Sequence, residues 1–215
     1  MVLGIDTSGK NLGLALCDRS EIIGSSLTKP GLKHGEIIQN MIEEFLSDNK
    51  IRFGDLTGIS VTLGPGSFTG LRIGLAVAKG YCYALDIPVT GISTLQAAAE
   101  AADVCSEKVI VVLNARKDEF YWASFDCSGD SARRLSKDTI SSFNNLKKKI
   151  DETSVFVASS HLEPLFSSMD VLNKRYYNDD LNLAVPASRL GEHDFSKNRN
   201  LDASTLVPFY LRTEF

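Results

Sequence analysis

The sequence has no excess of positive charge. Its 215 residues carry 23 lysines and arginines against 27 acids, a formal charge of −4. Proteins that hold nucleic acid unaided draw most of their affinity from basic side chains on phosphates. A stand-alone tRNA or duplex binder is therefore not expected. Long apolar runs are also missing. None approaches the roughly 20 residues that span a bilayer. The start, Met1-Val2-Leu3-Gly4-Ile5-Asp6, lacks a basic leader, so no signal peptide and no membrane association are expected. Cysteine is scarce: Cys17, Cys82, Cys105 and Cys127 form no C-x-x-C and no zinc-type spacing with the three histidines. Four reduced, mostly buried thiols in a cytoplasmic protein are the expectation.

Glycine is nearly absent from the second half. Fourteen of the 16 glycines precede residue 106; only Gly129 and Gly191 follow. The second half instead holds 13 of the 18 aromatics and the one tryptophan, Trp122. Glycine marks tight turns and close backbone approach, so the two halves pack by different means. With 43% apolar and 23% charged residues the composition is that of an ordinary globular chain.

The pattern of elements is α/β. Residues 1–6, 11–17 and 21–27 read as strands of an antiparallel meander. Residues 34–49 switch to a helical period through Ile37, Ile38, Met41, Ile42, Phe45 and Leu46. A strand at 58–63, a helix at 67–85, a strand at 87–91 and a helix opened by Ser93-Thr94-Leu95-Gln96 follow. The second half repeats this order more loosely: strands at 109–113, 119–126 and 133–136, a helix from Asp138 to Ile150, and a strand at 154–158. Residues 170–200 are polar and aperiodic and read as loop, with Asp202 capping a last segment. The expected organisation is two similar lobes, 1–105 and a reduced 106–215.

The densest motif is Leu63-Gly64-Pro65-Gly66-Ser67-Phe68-Thr69-Gly70-Leu71-Arg72-Ile73-Gly74. It lacks the Lys-Ser/Thr of a P-loop, spaces its glycines one residue too far for a dinucleotide fingerprint, and is no nucleophile elbow. It reads as a strand-to-helix turn capped by Ser67 or Thr69. Gly70, Gly74 and Ala78 make a small-residue stripe. Two helical glycines cost about 1 kcal/mol each, so a close contact is expected there, either with this protein's own sheet or with a partner helix.

Together with Ile5-Asp6-Thr7-Ser8, His34-x-Glu36, Ile92-Ser93-Thr94-Leu95, Asn114-Ala115-Arg116-Lys117 and Pro208-Phe209-Tyr210-Leu211-Arg212, this motif resembles the TsaB family of bacterial tRNA threonylcarbamoyladenosine biosynthesis. The resemblance departs at Asn114, where Asp is usual, and at Gly35. It implies an actin-like, Hsp70-like ATPase (ASKHA) fold with two similar lobes of mixed sheet and helix. It also implies a noncatalytic scaffold that pairs with and stabilises a TsaD-type catalytic subunit beside a TsaE-type ATPase, with tRNA met only through the complex. The implied partner face is Ile37, Met41, Phe45, Gly70, Leu71 and Gly74, which could also serve a homodimer. The catalytic relative binds metal through H-x-x-x-H; here His34 is followed by Ile38, and an alkyl group cannot coordinate. No metal and no catalytic residue are expected. Asp6, Thr7, Ser8, Ser67 and Thr69 are candidate vestigial phosphate contacts, with no cofactor beyond weak or interface-bound ATP or ADP. The alternative is an ATP-dependent phospho- or carbamoyltransferase on the same fold; no H-E-x-x-H supports a metalloprotease.

Overall fold

The computed structural model describes residues 1–29, 33–116, 118–151, 153–167, 173–177, 181–197 and 203–211. Lys117, Asp202 and Arg212 lie outside them. Two compact units emerge. The first comprises Met1–Ala97 with Asn182–Phe209, and the second Ala98–Leu181 with Tyr210–Phe215. The sequence expectation set 1–105 against 106–215. The structure instead returns residues 182–209 to the first unit, because a helix near the C-terminus completes that unit's sheet.

In the first unit β1 (Val2–Asp6), β2 (Leu12–Asp18) and β3 (Glu21–Thr28) form the expected antiparallel meander. Then come α1 (His34–Asp48), β4 (Gly58–Gly64), α2 (Phe68–Leu85), β5 (Val89–Ser93) and α3 (Thr94–Ala101). The strand order is β3-β2-β1-β4-β5, with β4 parallel to both β1 and β5. Alternation assigns the faces. Leu3, Ile5, Leu12, Leu14, Leu16, Ile59 and Val61 share one core with Ile38, Ile42 and Leu46 of α1 and Leu75 and Ala78 of α2.

The other face carries small residues: Gly4 on β1, Gly13 and Ala15 on β2, Gly58 and Ser60 on β4. Helix α6 (Ala184–Ser196) lies on this face. A Cβ on Gly4 would overlap the Ala184 carbonyl oxygen and sit 2.8 Å from Ser188 Cβ; one on Gly58 would sit 2.9 Å from the Phe195 ring. Gly191 returns the fit, since a Cβ there would overlap Ser60. Asn182 pins the helix start by donating to the Leu14 and Ser26 carbonyls and accepting from Ala184 N–H. Glu192 accepts from the N–H groups of Arg19 and Ser20, each at 2.6 Å. Both residues sit at left-handed φ, 52° and 67°, a cost the carboxylate offsets.

This helix corrects the reading of 170–200 as loop. Its own residues argue weakly for a helix: Pro186 in the first turn, then Ser188 and Gly191. It forms because a flat small-residue sheet face needs a cover. The second unit carries a further correction within the same stretch, a strand β11 (Asn173–Tyr177).

The second unit also contains β6 (Val109–Asn114), β7 (Glu119–Asp126), β8 (Arg133–Arg134), β9 (Thr139–Ser142), α4 (Phe143–Lys147), β10 (Val155–Ser159) and α5 (Glu163–Phe166). The sheet runs β11-β10-β6-β7-β8, with β9 also on β7. The helix expected from Asp138 is mostly strand. Thr139 and Ile140 pair with Trp122 and Tyr121, leaving only Phe143–Lys147 helical. The aromatic surplus fills this core. The Phe166 ring lies 5.2 Å from Phe120, 5.2 Å from Phe143 and 4.7 Å from Phe156, and Trp122 Nε1 donates to Ser141 Oγ at 3.0 Å.

Gly4→Ala is expected to lower the unfolding free energy by about 1–3 kcal/mol, the usual cost of overpacking. Gly54→Ala, where a Cβ meets nothing within 4 Å, should change it by less than about 0.5 kcal/mol. Urea unfolding of both variants checks the difference.

Candidate functional site

The β1–β2 turn and the loop that opens α2 are sewn together. Asp6 ends the buried strand β1, and its Oδ1 accepts from Ser8 N–H at 3.0 Å and from Thr62 Oγ1 at 2.7 Å. Thr7 is fully buried and donates its hydroxyl to the Gly70 carbonyl at 2.8 Å. Ser67 N–H donates to Ser8 O at 2.7 Å. Ser67 caps α2 by accepting from Gly70 N–H at 3.2 Å. Gly64 takes φ +115°, a conformation that favours glycine, and the chain passes over it where Phe209 N–H donates to Leu63 O at 2.7 Å.

The structure thus brings together all five candidate phosphate contacts. It also uses their polar atoms. The Thr7 hydroxyl, the Ser67 hydroxyl and one Asp6 oxygen hold this turn, while the Ser67 and Thr69 residues face solvent. Sequence reading missed Thr62. Its signal was register: β4 runs beside β1 with Val61 against Ile5, which carries Thr62 to the level of Asp6.

The Gly70–Gly74 stripe faces inward. A Cβ on Gly66 would overlap Ser8 O, one on Gly70 would overlap Thr7 O, and one on Gly74 would overlap Thr7 Oγ1. Of the two readings open from the sequence, close packing within this lobe is the one realised. This corrects the expected partner face. Gly70, Gly74, Leu71 and Phe45 are buried in their own unit, and only Ile37 and Met41 remain half-exposed at its margin. The small residues that do face outward on α2 are Ala76, Gly80 and Ala84, beside Tyr83, which is 91% exposed.

His34 is buried, and its Nε2 lies 3.2 Å from the Asn11 carbonyl oxygen. A carbonyl only accepts, so Nε2 carries the proton and pins α1 to the start of β2. Ile38, one turn on, is 1% exposed in the core. Among the described residues no cluster of three His, Cys, Asp or Glu could hold a metal ion. His161 accepts or shares a proton with Ser159 Oγ at 2.8 Å in a turn after β10.

The strongest electrostatic shifts lie elsewhere and are structural. Burial, then the Glu192 charge, pushes the Cys17 thiol up to about 11. Burial pushes Cys82 to about 12. Hydrogen bonds from Ser128 and then Arg133 hold Asp126 at about 2. Lys108, Thr153 and Ser154 hold Asp151 well below the carboxylate range. These thiols stay protonated near neutrality, and these exposed carboxylates close local turns.

A two-sheet α/β chain whose first strand ends in an Asp-Thr-Ser turn under a glycine-rich helix start has the actin-like ATPase fold. A crystal structure of an uncharacterized Pseudomonas aeruginosa protein with similarity to peptidase YeaZ superposes with a TM-score of 0.84 at 21% identity, covering 98% of this chain and 99% of that one. The family model described as TsaD, tRNA N6-adenosine threonylcarbamoyltransferase, matches residues 29–177. The chain is 35% identical over 127 residues to the tRNA threonylcarbamoyladenosine biosynthesis protein TsaB of Buchnera aphidicola, covering 58% of this chain and 57% of that protein. It is 32% identical over 120 residues to TsaB of Bacillus subtilis, covering 56% and 52%. The chain belongs to this family and stands with its TsaB members. The match spans little more than half the length of these curated relatives.

Gly74→Ala is expected to destabilise the protein by about 1–3 kcal/mol, and Thr7→Val by a similar amount, since the valine leaves the buried Gly70 carbonyl with one partner fewer. Denaturant midpoints check both. An unchanged Gly74→Ala midpoint would show that the stripe does not face Thr7.

Proposed function

We propose that this chain acts in the biosynthesis of threonylcarbamoyladenosine in tRNA, in the cytoplasm, as a noncatalytic scaffold. It pairs with a TsaD-type catalytic subunit, which carries the metal, the substrate and the tRNA contacts. A TsaE-type ATPase is the third component, and a homodimer uses the same face when the partner is absent. The observation that carries this reading is Ile38. It stands buried where a second metal ligand would be needed, while the neighbouring His34 spends its Nε2 on a backbone carbonyl. The relatives' name supports the pathway. The internal use of the Asp6, Thr7 and Ser67 oxygens supports weak nucleotide binding by the isolated chain.

The pairing face is moved outward from the Gly70 stripe. Gly80 sits inside α2, where glycine costs about 1 kcal/mol relative to alanine. A Cβ there meets nothing within 4 Å, so this chain's own packing does not call for it. A partner helix crossing at Ala76, Gly80 and Ala84 would. Ile37, Met41, Ile73 and Val77 flank that stripe as half-buried apolar residues, and Tyr83 offers an exposed ring. No described helix is long and apolar enough to cross a membrane.

Reconstitution of the tRNA modification from purified components, with and without this chain, tests the role. Product is expected to fall sharply on omission; equal product without the chain would refute the scaffold. Gly80→Leu is expected to keep the fold, read by its unfolding midpoint, and to weaken binding of the catalytic subunit at least about tenfold, some 1.4 kcal/mol. Unchanged affinity would place the interface elsewhere.

A further inference from the structure

We propose that Cys105 and Cys127 form a thiol pair that a hydroperoxide closes into an intramolecular disulfide, fastening the α3–β6 connection to the end of β7. The placement follows from strand register. β6 and β7 are antiparallel, with Val109 opposite Phe125. Their pairing continues past the strand ends, where Cys127 N–H donates to Ser106 O at 2.8 Å. The residue after Cys105 is therefore tied directly to Cys127. Residues facing each other across an antiparallel pair have Cα atoms about 4.5–5.5 Å apart. One residue further along, the separation stays near the roughly 4.4–6.8 Å that disulfides bridge. Both cysteines belong to the second unit, and neither has a role in the scaffold reading above.

The two thiols differ in a way that suits a stepwise reaction. Cys105 is exposed and Cys127 half-buried. Burial, Glu100, Asp126 and Cys105 itself push the Cys127 thiol up to about 11. Cys105 is thus the attacking group. Its thiolate takes the distal oxygen of hydrogen peroxide, breaking the O–O bond and giving a sulfenic acid and, after proton transfer, water. The Cys127 sulfur then attacks the sulfenic sulfur, and its proton leaves with the hydroxyl as a second water. Two thiols lose two electrons and two protons, and the peroxide gains them. Cys17 and Cys82 are buried in the first unit, and the Cys82 thiol is hydrogen-bonded to Pro88 O, so both stay reduced.

The test treats the full chain with a small excess of hydrogen peroxide. Titration in denaturant is expected to fall from the four free thiols to two, and dithiothreitol should restore them. A non-reducing digest should yield one linked peptide pair, joining Cys105 to Cys127. Cys105→Ser should lose the linkage, and Cys127→Ser should leave Cys105 as a sulfenic acid that dimedone traps. Three results overturn the proposal: Cys105 oxidised to sulfinic acid with no linked peptide, a Cys105–Cys105 link between two chains, or four thiols surviving treatment. The wild-type readout stands even if a variant fails to fold.

Discussion

Strand β1 is confined between two backbones, and most of the first unit follows from that confinement. On one face α6 rests its first carbonyls on Gly4. At the strand's end α2 begins against Thr7, close enough that Gly66, Gly70 and Gly74 leave no room for a side chain. Peptide groups brought this near must have their polar atoms paired, and the Thr7–Gly70 and Ser67–Ser8 bonds do so. The glycines are therefore a requirement of distance rather than of chain flexibility. They explain why the first half of the chain is rich in them.

The same confinement bears on chemistry. A turn that ends a buried strand beside a helix N-terminus is a favourable place for an anion. Here the side-chain oxygens that would greet one are turned to internal service. Asp6 holds Ser8 and Thr62, and Thr7 holds Gly70. The geometry is rigid and its polar groups are saturated, which suits a part whose work is to hold a shape for another protein. His34 shows the same conversion. A residue type suited to ligating a metal here fastens a helix to a strand.

The second unit solves its packing by volume. With few glycines it cannot bring backbones together, so its sheet is spaced by rings. Phe120, Phe143 and Phe156 surround Phe166, and Trp122 finds a hydroxyl in Ser141. Aromatic side chains bury large areas with few degrees of freedom, which lets short helices such as α4 and α5 suffice as covers.

The sequence by itself determined the strands and helices of the first half, because alternation in Leu12-Leu14-Leu16 and the helical period from Ile37 to Leu46 are local signals. It also determined the capping of α2 by Ser67 and the loss of a metal ligand at Ile38. It was enough to name the family, through a twelve-residue motif from Leu63 to Gly74. Tertiary structure decided what the glycines face. Spacing alone left Gly70 and Gly74 open to a partner helix or to the protein's own turn, since either demands the same small residues; only the position of Thr7 chose between them. Tertiary structure also decided α6. Pro186, Ser188 and Gly191 carry little helical signal of their own, and that segment is helical because Gly4, Gly13 and Gly58, far away in sequence, make a sheet face that a helix backbone can lie on.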